Sequence, residues 1–170
     1  MTQKELQKKL DAHVVWLKDR RPRSSCFDLG NTQVARLNVP GADLSYTCFR
    51  NKCLEDSNFE GCVFEGTEFD HANLRGVNMR RANLNCADLS STILQSANLS
   101  GAVLDRAQLT LADLSGANLE GANLDTAVLI HLVISETTNL KGTCLDPGNK
   151  PNGDVAEFQR DPNNPDFIIG

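Results

Sequence analysis

A leucine returns at every fifth residue through the middle of this chain. The series runs Leu74, Leu84, Leu89, Leu94, Leu99, Leu104, Leu109, Leu114, Leu119, Leu124 and Leu129, with Met79 in its single gap. Two residues before most of these stands an alanine, as at Ala72, Ala82, Ala87, Ala97 and Ala102. A helix presents one face every ~3.6 residues and a strand every ~2. A period of five fits neither. The chain must therefore be built from short units that each turn a corner.

Each unit can be numbered about its large residue i. Before the leucines the centres are Val39, Leu44, Phe49, Leu54, Phe59, Phe64 and Phe69. Position i+2 is repeatedly glycine, at Gly41, Gly61, Gly66, Gly76, Gly101, Gly116 and Gly121. Glycine takes a positive φ without steric cost, and Pro40-Gly41 is the central pair of a type II turn. Each unit thus reads as a short extended side followed by a corner, and four sides close a square. Positions i and i−2 then point inward, while i−1, i+1 and i+2 face water. Residues twenty apart stack at ~4.8 Å, the strand–strand spacing. Phe49 should lie beneath Phe69, with Leu89, Leu109 and Leu129 on the same side.

The recurring A-[DN]-L-x-x over about residues 37–145 resembles the pentapeptide repeat family. That resemblance implies an all-β solenoid, a right-handed quadrilateral β-helix. Two irregularities are visible in advance. Lys52 occupies an i−2 position, where an unpaired ammonium would be costly. It predicts a local distortion that turns the side chain outward, toward Glu55 or Asp56. Ile134 and Leu140 are six residues apart, so an extra residue within Ser135–Asn139 should bulge one corner.

The ends read differently, and the whole as a single domain. Thr2-Gln3-Lys4-Glu5 is a capping box, Leu6, Leu10, Val14 and Leu17 form an apolar helical stripe, and Pro22 closes it. A lone helix of this length needs a surface to lie on. Residues 1–21 are therefore expected to form an N-terminal α-helical cap on the open end of the repeat, with His13 part of that lid rather than a ligand. Residues 22–36 are a transition, in which Leu29 and Val34 keep the register while Phe27 is bulky for its place. Residues 146–170 are rich in Pro, Asn and Asp, yet carry Val155, Phe158, Phe167, Ile168 and Ile169. They read as a strap, since an open β edge is normally covered.

Composition narrows the function classes. Only 5% of residues are aromatic, too few for a conventional core but enough for stacked units that bury their centres against each other. A net charge of −5 argues against direct nucleic-acid binding, which needs basic surface. Cys26, Cys48, Cys53, Cys62, Cys86 and Cys144 show no CxxC spacing and read as reduced thiols. The charged start MTQKELQKKL and the lack of an apolar run near ~20 residues point to a cytoplasmic protein with no membrane contact.

No nucleophile, P-loop, dinucleotide or zinc-protease motif occurs. We expect no enzyme activity, no catalytic residues, no cofactor and no metal. Glu68, Asp70 and His71 lie close together but fall on outward positions. Two surfaces stand out instead. An acidic one comprises Glu55, Asp56, Glu60, Glu65, Glu68 and Asp70. Resemblance to family members that imitate duplex DNA implies an alternative role, binding DNA gyrase or another topoisomerase, with quinolone protection. Arg75, Arg80, Arg81 and Arg106 interrupt the acidic columns. The second surface is apolar: Leu111, Val128, Ile130 and Val133, with His131 stacked on Leu111, occupy places where the repeat calls for polar residues. The reading is a non-catalytic scaffold for protein–protein interaction, with an unidentified protein partner. The apolar cluster is expected to be a homodimer contact through the C-terminal coils, or else a seat for the tail.

Overall fold

A computed structural model describes residues 3–18, 27–28, 35–146 and 167–169. Its body is a ladder of parallel β-bridges between residues twenty apart, from Asn38↔Asn58 to Asp113↔Val133. Four five-residue sides therefore make one coil. Every centre from Leu44 to Leu124 is no more than 3% exposed. Over this span the core is a column of single large side chains, fed from four sides and flanked at i−2 mostly by alanine, serine, threonine or cysteine, with Val77 and Lys52 the larger exceptions. Phe49 stacks on Phe69 with ring centroids 5.3 Å apart and planes 11° from parallel, as the twenty-residue stacking requires. Phe64 meets Phe59 and Phe69 edge-on at 5.3 and 5.1 Å.

The unit 82–86 shows how the backbone is satisfied. The Ala82 N–H donates to the Met79 carbonyl across the corner (3.0 Å), and Asn83 donates to Cys62 in the coil before (2.9 Å). Leu84 and Cys86 donate to Val103 and Asp105 in the coil after (2.7 and 2.9 Å). That leaves the Asn85 N–H, which donates to the Asn83 side-chain oxygen at 3.1 Å. The same bond forms in the units of Asp43, Asn58, Asn73, Asn78, Asp88, Asn98, Asp113, Asn118 and Asn123. Asparagine or aspartate at i−1 is thus the acceptor for the one amide the ladder leaves over. These residues are mostly half-buried, which corrects the expectation that i−1 simply faces water. On one side they also join vertically, Asn78 Nδ2 donating to Asn58 and Asn58 to Asn38, at 2.9 and 2.8 Å.

The corners carry positive φ, at glycines but also at Tyr46, Asn51, Asp56, His71, Arg81, Cys86, Ser91, Ser96, Arg106, Leu111 and His131. Thr126 is a corner residue outside that set. A β-branched side chain is poorly suited to the left-handed region. There the Arg106 N–H donates to the Thr126 hydroxyl (2.8 Å) instead of to a carbonyl. The expected extra residue is taken up at the corner after Ile134. The bridge register slips to Asn118↔Asn139, and Thr138 Oγ1 accepts from the Ser135 N–H (3.0 Å) and donates to the Leu114 carbonyl (3.1 Å).

Lys52 departs from expectation. Its N–H donates to Phe49 across the corner and its carbonyl accepts from Asn73, at 3.1 and 2.9 Å, so the backbone stays regular. The side chain is half-buried. A long aliphatic stem can follow the inner wall while its ammonium reaches outward, so no backbone shift is needed.

Helix α1 spans Gln3–Lys18; Thr2 and Pro22, the expected cap and stop, lie outside the described residues. The stripe is rotated from the one expected. His13 is fully buried, Leu10 packs against the core cluster, and Val14 is 41% exposed. Strand β1 (Phe27–Asp28) pairs in parallel with β2 (Thr47–Cys48), so the twenty-residue register already holds there. Strand β3 (Leu132–Ile134) belongs to the last regular rung on its side, and β4 (Phe167–Ile169) pairs antiparallel with it. Val155 and Phe158 lie outside the described residues.

Substitutions around one unit test this architecture by chemical denaturation. Leu84→Ala should cost about 2–5 kcal/mol through the cavity it leaves. Asn83→Ala should cost about 1 kcal/mol by stranding the Asn85 amide. Asn85→Ala should stay within about 0.5 kcal/mol. Equal costs at all three would overturn the inward and outward assignments.

Candidate interaction surfaces

The acidic residues do not form one column. Glu60 and Glu65 lie on two sides of the rod, Glu68 and Asp70 share a third, and Glu55 and Asp56 stand on the fourth side and its corner. Neighbouring coils supply cations to four of the six. Arg50 Nε stands 3.1 Å from Glu68 and 2.9 Å from Asp70, which raise the guanidinium above its ordinary value, Asp70 first. Arg80 lies 3.5 Å from Glu60, and Arg36 lies 3.9 Å from Asp56. The Tyr46 hydroxyl donates to Glu65 at 3.1 Å. Glu55 contributes its carbonyl, which accepts from the Arg36 N–H at 2.9 Å. Exposed pairs of this kind add ~0–1 kcal/mol of stability each. Their larger effect here is to break the negative field into patches. Glu68, Asp70 and His71 do not converge, and among the described residues no three His, Cys, Asp or Glu side chains gather as metal ligands would.

The apolar residues do come together. Leu111 and His131 are successive residues of one corner column, and the Leu111 N–H donates to the Ile130 carbonyl at 2.9 Å. Leu111 is 56% exposed and Ile130 50% exposed. Val128 and Val133 are half-buried on the two sides that meet at this corner, and His131 is exposed. Leu111 also sits at φ 61°, a conformation costing a non-glycine residue ~1–2 kcal/mol. Glycine there would remove both the strain and the exposed apolar surface. Strand β4 pairs edge-on, Ile168 opposite Val133, and so extends the ladder along the rod. Sequence reasoning missed Ile93 and Val103, at i−1 and 43% and 38% exposed. Their aliphatic character at an Asn/Asp position was the available signal.

A third feature lies at the other end. Between α1 and the first coil is a cleft of about 370 Å³, lined by Gln7, Asp11 and Val14 on one wall and by Asn38, Pro40 and Asp43 on the other. The helix creates this cleft by lying against the first coil. No helix among the described residues is long and apolar enough to cross a membrane.

The cysteines are equally spread. Cys62 is buried and donates from Sγ to the Val39 carbonyl at 3.0 Å, and burial pushes its thiol up to about 11. Cys86 is exposed at a corner. Because the thiolate is the reactive form, maleimide at about pH 7.5 should label Cys86 in the native protein and spare Cys62 until denaturant is added. Peptide mass spectrometry reads the outcome, and early labelling of Cys62 would contradict the burial assigned to it.

Comparison with known proteins agrees with the repeat. Solved structures similar to the chain include the pentapeptide repeat protein Rfr23 of the cyanobacterium Cyanothece 51142, at 26% identity over 65% of this chain and 81% of that one, TM-score 0.47. A pentapeptide repeat protein of the Arabidopsis thaliana thylakoid lumen is 31% identical, over 61% of each chain, TM-score 0.41. QnrB1, a plasmid-mediated fluoroquinolone resistance protein, is 19% identical in a trypsin-treated variant, over 71% of this chain and 88% of that one, TM-score 0.35. No curated protein matches the chain. The family described as pentapeptide repeat region matches residues 52–138, just over half of the sequence. With the twenty-residue ladder and its five-residue sides, that match makes the chain a member of the pentapeptide repeat family, whose fold is the right-handed quadrilateral β-helix.

Proposed function

We propose that this protein is a non-catalytic scaffold that binds protein through its C-terminal coils, with α1 as a cap on the first coil and β4 as a strap on the last, working in the cytoplasm. The observation that carries this reading is the exposed corner of Leu111 and Ile130, at 56% and 50% exposure. A rod of this kind has no need of aliphatic residues there, and Leu111 bears backbone strain as well. Exposed apolar clusters of that sort mark contact surfaces. The simplest occupant is a second copy, two chains meeting about a two-fold axis. Of the tail, the described strand β4 pairs along β3, and the dimer is the reading we favour.

The alternative, a topoisomerase-binding mimic of DNA, would need a continuous column of negative charge. The residues Glu55, Asp56, Glu60, Glu65, Glu68 and Asp70 are spread over four sides, and four of them, Asp56, Glu60, Glu68 and Asp70, are paired to Arg36, Arg80 and Arg50. That arrangement favours a solvated, charge-paired surface.

Two measurements separate these readings. Size-exclusion chromatography with light scattering should find a dimer, converted to a folded monomer by the double change Leu111→Asp and Ile130→Asp. A wild-type protein that stays monomeric at high concentration would remove the dimer. A gyrase supercoiling assay, with and without a quinolone, should be unaffected by the protein. Inhibition or protection would bring the mimic forward.

A further inference from the structure

His13 is fully buried between α1 and the first coils. Its Nε2 lies 3.3 Å from the Thr47 hydroxyl, and its ring stacks on Trp16 at 5.4 Å and 15°. Thr47 stands at an inward i−2 place in β2, so the imidazole reaches the wall of the rod itself. A serine, alanine or leucine at residue 13 would pack a helix onto this surface without any titrating group. The cleft between Gln7, Asp11 and Asn38–Asp43 borders the same contact. The helix therefore holds the open coil through one buried imidazole and a small apolar seam.

We propose that α1 is a proton-released cover: protonation of His13 undocks the helix and bares the edge of the first coil, while the rod stays folded.

The charges around the imidazole set the direction. Loss of solvation on burial holds His13 below its ordinary 6.5, outweighing the opposing pull of the Ser45 backbone and the Asp43 carboxylate on the coil. On α1, Lys9 stands one helical turn before His13, and Asp11 lies toward the cleft. Across the seam, β2 contributes Cys48 beside Thr47, and β1 carries Asp28 at the register position opposite Cys48. The released helix, with its histidine in water, binds a proton near 6.5, and the docked form binds it only at lower pH. Between those values the released form holds more protons, so acid favours release. The stabilisation from docking is present above about 6.5 and is lost as pH falls through the lowered value. Protonation also turns both ring nitrogens into donors, so the Thr47 hydroxyl would have to accept where it could otherwise donate.

What is bared is specific. Elsewhere on these sides each i−1 amide donates to the coil before, as Asn58 does to Leu37 and Val63 to Ala42, at 2.7 and 3.0 Å. Among the described residues Asn38 and Asp43 are the first of this series, and both line the cleft. Release of α1 presents this strand edge, which can add an extended segment of another chain.

The chain holds one tryptophan, Trp16, and three histidines. Trp16 emission of the intact protein, followed from neutral to acid pH, should shift to the red with a midpoint below 6.5, while far-UV circular dichroism of the rod changes little. Proton NMR should show the His13 ring titrating with the same midpoint, apart from exposed His71 and His131. Trypsin should cleave within α1 several-fold faster on the acid side. His13→Gln should abolish the pH dependence of the emission, whether that variant rests docked or released. An unchanged Trp16 signal through the His13 titration would overturn the proposal. So would a transition that survives in His13→Gln, or one in which the rod unfolds with the helix.

Discussion

Everything in this rod depends on how five amides per unit find acceptors. One closes the corner and three reach the coils on either side, as Ala82, Asn83, Leu84 and Cys86 do. The fifth has no backbone partner within reach and takes the side-chain oxygen two residues back. The inner wall can then be made of leucine and alanine alone, since no polar group remains to be satisfied there. The preference for asparagine or aspartate at i−1 comes from that leftover amide, as the apolar identity of i comes from burial. Where Val63, Ile93 or Val103 stands instead, the side chain cannot accept, and the unit relies on its neighbours or on water.

A ladder that pairs only along its axis has two unpaired ends whatever its length. The chain meets them unequally. At one end a helix lies against the first coil through His13 and Leu10. At the other a three-residue strand pairs with Leu132–Ile134 and reverses the strand direction. Antiparallel addition presents an outer edge out of step with the rod's own parallel register, so a second rod cannot simply continue the stack. The side surfaces are a separate matter. There mixed, paired charges surround Arg50 and Arg80, whereas the corner of Leu111 and Ile130 is apolar and exposed.

Much of the architecture was legible because a five-residue period admits few solutions. The inward column, the stacking of Phe49 on Phe69 and the slip after Ile134 all follow from counting. What counting could not reach depends on orientation or on competition between partners. The helical stripe was drawn through Val14 because valine is apolar, yet His13 faces the rod, since Thr47 offers the imidazole a partner and Trp16 shields it. Lys52 looked like a fault because residue type was read without its flexible stem. The half-buried role of i−1 was hidden because asparagine and aspartate are also what an exposed position prefers. The apolar corner was visible as a breach of pattern. The scatter of the acidic residues over four sides was implicit in their numbers, but the pairing of Arg50 with Glu68 and Asp70 needed three-dimensional placement.

The corner after Ile134 has a wider meaning. It holds one residue more than the others, yet Asn139 resumes the bridge to Asn118 and Leu119 donates to its carbonyl at 2.8 Å. The surplus is absorbed by Ser135 and Thr138, whose hydroxyls occupy the vacant bonding positions. At the corner of Thr126 a hydroxyl likewise replaces a carbonyl without disturbing the sides. A side of this rod tolerates no change in length, because one residue more would turn every inward chain outward. Its corners behave as expansion joints. Lineages of such proteins, and anyone engineering them, are free to graft loops there while the square shaft between keeps its gauge.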